Sequence, residues 1–383
     1  MVERRRRSRR ANGPLAMPPI PVLLMSEQLS AGGTERQLVE MAKALDRDKF
    51  APHVATIKGG FRAAELTAAG VPILELPLTS FFSIDAVLAG WQLARYMRKH
   101  RIKVFHAFDF PAACFGVPVA RLAGTPLVLS SQRGHRKLNP PLYQKLQRWT
   151  DPLTDGIVVN CEAMRAHLID DEGVRREKTH LCYNGLDINR FHQGSRTRPG
   201  ALSGATLVIG SLSVLRPEKG IETVLEAFAT VLPLDPGMRL AIVGSGPQLE
   251  ELKALATSLN IAEACHFEPS TMETEKWLAA MDIFVLPSLC EAFSNSLMEA
   301  MASACAPVAS NVGGNPELVE DGQTGMLFEA SNAGQLSNCL RLLVTNQDLR
   351  NRLSFRAAER VQRFSLNAAA TRLGEIYAGL LNK

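Results

Sequence analysis

The chain has 383 residues, 46% of them apolar and 21% charged, with a net charge of +5. That length exceeds one ordinary domain and predicts two, and the composition is that of a globular protein rather than a disordered or fibrous one. No apolar run approaches the ~20 residues that a membrane span requires. None of the seven cysteines forms a Cys-x-x-Cys pair or a Cys/His cluster with zinc spacing, so they read as small buried hydrophobes in a reducing compartment.

Residues 1–16 open on an arginine run, Arg4, Arg5, Arg6, Arg7, Arg9 and Arg10. No apolar segment of signal-peptide length follows it, and the Pro- and Gly-bearing stretch behind it predicts a disordered basic tail, with Met17 as an alternative start. Residues 17–190 then alternate apolar strands and helices. Strands are predicted at 20–25, 53–57, 73–76, 104–106, 127–130 and 157–159. Helices are predicted at 35–45, with Leu38, Met41, Ala42 and Leu45 on one face, and at 83–100, with Leu88, Trp91, Leu93 and Tyr96. A polar, glycine-rich segment at 191–205 breaks the rhythm and reads as a linker. The alternation restarts in 206–365, with strands at 206–212, 239–243, 265–267, 283–286, 308–310 and 325–328. Helices there are predicted at 221–231, 249–259, 295–302 and 333–344, and a last helix occupies 366–381. Alternation of this kind predicts an α/β fold of two parallel-sheet units.

Charge is unevenly placed, +10 over residues 1–190 and −5 over the rest. A basic first half suits an anionic partner such as a phosphate-bearing lipid or a membrane surface. The densest stretch, 133–148, carries Arg133, Arg136, Lys137, Lys145 and Arg148 without an acid. It follows a strand, so it is expected at the rim of the first sheet.

Five motifs carry candidate chemistry. Ser30-Ala31-Gly32-Gly33-Thr34-Glu35-Arg36 joins the first strand to the first helix, where glycines admit a close ligand and free amides attract an anion; taken alone it is equally a structural turn. In the corresponding loop of the second unit, Arg216-Pro217-Glu218-Lys219-Gly220 offers a guanidinium fork and a point charge for phosphate, or else two solvated cations. Cys290 to Ala300 places Glu291 in a loop and Glu299 about one turn into a helix begun by Ser294, Asn295 and Ser296. A carboxylate at that sheet edge can accept two ribose hydroxyls. Gly244-Ser245-Gly246-Pro247 is half of a dinucleotide fingerprint. His106 ends a strand and Asp109 follows it, at the same rim as Arg133. Asp46-Arg47-Asp48 has the spacing of a metal-binding acidic pair but lies at a helix tail, away from any strand edge.

In this order, and with Tyr183-Asn184-Gly185-Leu186-Asp187 and Gly313-Gly314-Asn315-Pro316-Glu317-Leu318-Val319, the motifs resemble those of the family 4 glycosyltransferases, from residue 20 onward. The resemblance implies the GT-B arrangement: two Rossmann-like domains facing across a cleft, with the C-terminal helix crossing back to domain one. It implies retaining, metal-independent transfer of a sugar from a nucleotide diphosphate donor to a glycan or lipid-linked acceptor, in bacterial surface polysaccharide or glycolipid assembly. Carried over, Arg216 and Lys219 hold the diphosphate and Glu299 the ribose. Glu291 meets the donor sugar with the amides of Phe293, Ser294, Asn295 and Ser296, and Gly32 and Gly33 close over the diphosphate. His106 faces donor sugar and acceptor hydroxyl, with Asp109 and Arg133 on the acceptor side. No cofactor is implied beyond the co-substrate, and the location implied is cytoplasmic, peripheral to the inner membrane face. Three departures stand out: Ala292 and Ala304 replace common glycines, and Glu268-Pro269 replaces the usual step near the nucleobase. Among rivals, a nicotinamide oxidoreductase needs a third glycine and a following acid, a nucleic-acid binder needs aromatics among its arginines, a scaffold has no need of these charged residues, and a sugar-nucleotide epimerase shares the fold.

Overall fold

The computed structural model describes residues 18–78, 84–191 and 198–383; the basic tail at 1–16, Met17 and residues 192–197 of the expected linker lie outside the described residues. The first unit runs β1 (Ile20–Gln28), α1 (Gly33–Ala44), β2 (Phe50–Lys58), α2 (Ala63–Ala68), β3 (Ile73–Glu75), α3 (Ile84–Lys99), β4 (Val104–Ala107), α4 (Phe110–Ala123), β5 (Leu127–Gln132), α5 (Pro141–Thr150), β6 (Gly156–Val159), α6 (Glu162–Asp170) and β7 (Thr179–Leu181). The second runs β8 (Val208–Leu212), α7 (Ile221–Val231), β9 (Arg239–Val243), α8 (Leu249–Ser258), β10 (Cys265–Glu268), α9 (Thr274–Ala280), β11 (Ile283–Leu286), α10 (Asn295–Ala302), β12 (Ala306–Ser310), α11 (Asn315–Leu318), β13 (Met326–Phe328), α12 (Ala333–Thr345) and α13 (Gln347–Val361). A final helix, α14, spans Leu366–Leu381.

Both sheets are parallel and doubly wound, in the order β3-β2-β1-β4-β5-β6-β7 and β10-β9-β8-β11-β12-β13. Strands covered on both faces need apolar residues throughout, and alternate residues feed opposite cores. In β1, Val22 and Leu24 join one core and Leu23 and Met25 the other. In β11, Phe284 and Leu286 face one core and Ile283 and Val285 the other.

Two features tie the units together. The chain crosses back at Leu186, whose N–H donates to Phe364 O and whose carbonyl accepts from Leu366, both at 2.9 Å. From there α14 lays Ala369, Ala370, Leu373, Ile376 and Tyr377 into the same core as Leu38 and Val39 of α1. A second core is shared outright, with Ile157, Val159 and Met164 packing among Phe284, Leu297 and Met298.

One helix face differs from its expected form. In α3 the buried residues are Ala89, Leu93 and Met97, while Leu88 and Trp91 are exposed by 56% and 60%. The helix approaches α4 through small residues, with Gly90 against Val119 and Phe115, and its larger apolar side chains are left outside.

Candidate active site

In a doubly wound sheet, ligands bind beyond the strands' carboxyl ends, where the strand order reverses. Here the reversals fall between β1 and β4 and between β8 and β11. Residues from both edges line one cavity of about 400 Å³.

The second unit supplies paired charges. After β8 a short 3-10 turn, Pro217–Lys219, ends at Gly220 with φ +61, where a Cβ would lie 2.5 Å from the Pro287 carbonyl. The turn carries Lys219 into the cavity, with Nζ 2.6 Å from Glu291 Oε2. Ser288 Oγ donates to the same oxygen at 3.1 Å. Arg216, at the start of the turn, has a side chain 60% exposed beside Glu218 and is not among the cavity's lining residues. After β11, Ser294 caps α10 by accepting from the Leu297 N–H, which fixes Phe293, Ser294, Asn295 and Ser296 on the lining and Glu299 in the helix's second turn.

The first unit supplies backbone and cations. Gly32 caps α1 without a side-chain bond, leaving amides at the helix start open. Gly33 lines the cavity, and its carbonyl accepts from Asn295 Nδ2 at 3.3 Å. Arg36 donates across the cleft to Glu299, whose side chain is 2% exposed. Arg133 donates to Asn184 Oδ1 at 2.7 Å and lies 4.7 Å over the Phe108 ring. Burial pushes its pKa down to about 10, and its Nε is buried without a partner among the described residues.

Two expected acceptor-side residues do not reach the cavity. His106 is fully buried, with Nδ1 2.7 Å from the Tyr377 hydroxyl of α14 and Nε2 2.9 Å from Ser131 Oγ. Burial, aided by the charge of Arg133, drives its pKa well down, so it is a neutral core histidine. Asp109 caps α4, accepting from the Ala112 N–H at 2.9 Å and from Glu27 N–H at 2.7 Å. Both its oxygens are committed to backbone.

The basic stretch 133–148 is likewise not one exposed surface. Arg136 is 1% exposed and pairs with Asp151 at 2.8 Å and Glu172 at 3.5 Å. Arg148 pairs with the same Glu172 at 2.7 Å. Acids outside the stretch, invisible within it, neutralise its centre. Asp46 and Asp48 form a local turn, with Asp46 paired to Lys49. Among the described residues one group has the spacing to hold a metal ion, His135, His167 and Asp171, and none of the three lines the cavity.

Several residues that matter were not singled out. Gln37 donates to Gly185 O and Asn295 Oδ1, and Asn184 donates to Phe293 O and Asn295 Oδ1, so amides knit the two units beside the cavity. Glu317, in the Gly313–Val319 motif, accepts from the N–H groups of Glu162 and Ala163 at the start of α6 and from the Tyr183 hydroxyl. Gly313, at φ +53, passes so close to Glu291 O that a Cβ would lie 1.8 Å away, which explains the glycine pair. Their signal was the motifs themselves, polar side chains adjoining glycines. Of the departures, Ala292 points into the shared core rather than the cavity, and Ala304 adopts φ +55, a strained position for alanine. Near Glu268, the cavity is lined by Ser270, Thr271 and Thr274.

The family model for Glycosyltransferase Family 4 matches residues 31–190, and that for glycosyl transferases group 1 matches residues 198–360. The D-inositol 3-phosphate glycosyltransferase of Thermobifida fusca (strain YX) is 28% identical over 360 residues, 84% of this chain and 83% of that protein. Anabaena HepE, solved in complex with UDP and glucose, superposes with a TM-score of 0.82 at 21% identity, covering 94% of this chain and all of that one. WaaG, a glycosyltransferase involved in lipopolysaccharide biosynthesis, superposes with a TM-score of 0.69 at 16% identity, covering 94% of this chain and 100% of that one. With two reversed-order parallel sheets sharing one cavity, and with both halves matched in order, the chain belongs to the family 4, group 1 glycosyltransferases of GT-B fold, which move a sugar from a nucleotide-sugar donor.

Proposed function

We propose that the protein transfers its sugar with retention of configuration and without a metal ion. Retention is the reading that the family resemblance implies, and the observation that carries the metal-free part is the pairing inside the cavity. Its two carboxylates, Glu291 and Glu299, are each held by a cation, Lys219 and Arg36. Acids neutralised in this way are poor ligands for Mg²⁺, which needs free oxygens, and the same cations suit a diphosphate. Lys219 stabilises charge on the leaving diphosphate, joined by Arg216 from the same turn. Glu299 accepts the ribose hydroxyls, and Glu291 and the start of α10 hold the donor sugar against Gly32 and Gly33. A donor-hydrolysis screen over UDP-, GDP- and ADP-sugars tests this, with NMR of the released or transferred sugar. We expect turnover in EDTA and an unchanged anomeric configuration. Loss of turnover on chelation with recovery on Mg²⁺ or Mn²⁺, or an inverted anomer, rejects the mechanism.

The acceptor is a glycan or lipid-linked molecule of surface polysaccharide or glycolipid assembly, a reading that the WaaG likeness supports. Arg133, bonded to an amide oxygen rather than a carboxylate, suits an anionic acceptor group, as the name of the Thermobifida relative also suggests. Contact with an anionic membrane face, from the cytoplasmic side, rests on exposed Ile84, Val87, Leu88 and Trp91 of α3 and Leu142, Tyr143 and Trp149 of α5. Exposed Arg95 and Lys145 lie on the same two helices. No helix among the described residues is long and apolar enough to cross a membrane. Aromatic and apolar side chains beside cations suit the interface. Liposome cosedimentation of a chain lacking residues 1–16 should show binding that Trp91→Ser weakens; equal recovery on neutral and anionic vesicles speaks against it.

A further inference from the structure

Arg36 belongs to the first turn of α1, yet its guanidinium reaches over the cleft to Glu299 of α10, 263 residues on. The Glu299 side chain is 2% exposed and that of Arg36 17%, so the ion pair is largely withdrawn from water. Arg36 also borders the cavity beside Gly33 and Thr34, at a helix start whose amides have no side-chain cap. A second cation, Arg62, lies nearby, itself paired with Glu65 at 2.9 Å.

We propose that Arg36 makes donor binding depend on the diphosphate, by exchanging Glu299 for a phosphate oxygen. The inference rests on Glu299 as the ribose acceptor. Two ribose hydroxyls donating to Glu299, one to each carboxylate oxygen, compete with Arg36 for Oε1. Once displaced, Arg36 is a poorly hydrated cation at the positive end of α1, a position that is costly without an anion. A diphosphate lying against the α1 amides supplies that anion. A nucleoside carries the same ribose and base but no phosphate, so it must break the ion pair and offer Arg36 nothing in return. The exchange therefore rejects nucleosides and favours nucleoside diphosphates. It also draws the first unit onto the donor, because Arg36 moves from one partner of the second unit to a ligand bound there. No bond is made or broken in the exchange; Arg36 is a specificity-determining residue, distinct from the Lys219 and Arg216 turn.

Calorimetric titration of the full chain with uridine and UDP, guanosine and GDP, and adenosine and ADP measures the effect as the ratio of nucleoside Kd to diphosphate Kd for the base that binds. Arg36→Gln, which can still donate to Glu299 but carries no charge, should bind the nucleoside more tightly and the diphosphate about tenfold more weakly, collapsing the ratio. Arg36→Lys, which keeps the charge, should retain most of it. An unchanged ratio in Arg36→Gln, or equal collapse in both variants, overturns the proposal. Glu299→Gln added to Arg36→Gln, where no ion pair remains to be broken, separates the layers: weaker nucleoside binding than in Arg36→Gln alone upholds the ribose reading whatever Arg36 does, whereas equal nucleoside binding overturns that reading and the exchange together. Circular dichroism melts of the variants show whether each is folded.

Discussion

The two units share a strand order but furnish the cleft differently. In the first, the edge beyond β1 and β5 offers unpaired helix amides and two arginines, Arg36 and Arg133, with no acid among its lining residues. In the second, the edge beyond β8 and β11 offers Lys219, Glu291 and Glu299. The same contrast appears at full scale, where residues 1–190 carry +10 and the remainder −5. A common topology thus sets where a ligand lies, while the side chains on each edge decide which part of it they can hold. On the proposed reading, acids suited to sugar hydroxyls lie opposite cations suited to phosphate or an anionic acceptor.

The sharpest way to break this division is to remove one cation from each side. Lys219→Ala should lower turnover roughly 10²–10³-fold, the usual loss when a stabiliser of developing charge is removed. Arg133→Gln should leave donor hydrolysis in place and raise the acceptor KM about 10- to 100-fold, the worth of a hydrogen bond to a charged group. Steady-state kinetics with and without acceptor separate the two. If Arg133→Gln damages donor hydrolysis as much as Lys219→Ala does, the edges do not divide the substrates.

A milder perturbation targets the join rather than the cleft. Glu317→Ala removes an acid of the second unit that caps a helix of the first, and should cost about 1–2 kcal/mol. Chemical denaturation followed by fluorescence should show a lower midpoint with donor Kd nearly unchanged. A strong loss of donor affinity would make Glu317 part of the binding edge instead.

The smallest effect concerns pH, and it belongs to the first unit. Burial holds the His53 pKa at about 4, with a further push from His100, below the 6.5 of an unfolded chain. Protons therefore bind the unfolded state more readily between those values, and stability should fall as pH drops from about 6.5 toward 4. Melts of His53→Gln should show a flatter acid slope than wild type. An identical slope would place the acid sensitivity elsewhere.

Much of this organisation is legible in the residues. Strands buried on both faces, such as β1 and β11, are continuous apolar runs, and α10 announces itself by the Ser294 cap. The outward face of α3 was misleading because its largest apolar side chains, Leu88 and Trp91, are the exposed ones, while small Ala89 and Gly90 make the close packing. Helix α13, dominated by polar residues, gives little apolar period to read. The site was harder where partners are distant in sequence. His106 looks functional at a strand end, and it takes Ser131 together with Tyr377, 271 residues away, to show that its ring nitrogens are committed to the core. Arg136 looks like a free surface cation until Asp151 and Glu172 are seen around it. Motif spacing conveys which groups lie at a sheet edge; which of them face one another depends on how the two sheets dock.

Helix α14 carries a consequence for the order in which the protein is made. Leu373, Ile376 and Tyr377 complete the core beneath β1 and β4, but they are synthesised last. Domains generally form as units while the chain emerges from the ribosome. The second unit has its strands in one contiguous stretch and can consolidate as it appears. The first, though translated earlier, keeps an uncovered apolar face and a His106 whose Nδ1 lacks Tyr377 until the final helix arrives. The earlier-born half is therefore the later to mature, and a ribosome that stalls within residues 366–381 releases a chain whose defect lies far upstream in the first unit, as at His106, 271 residues before Tyr377.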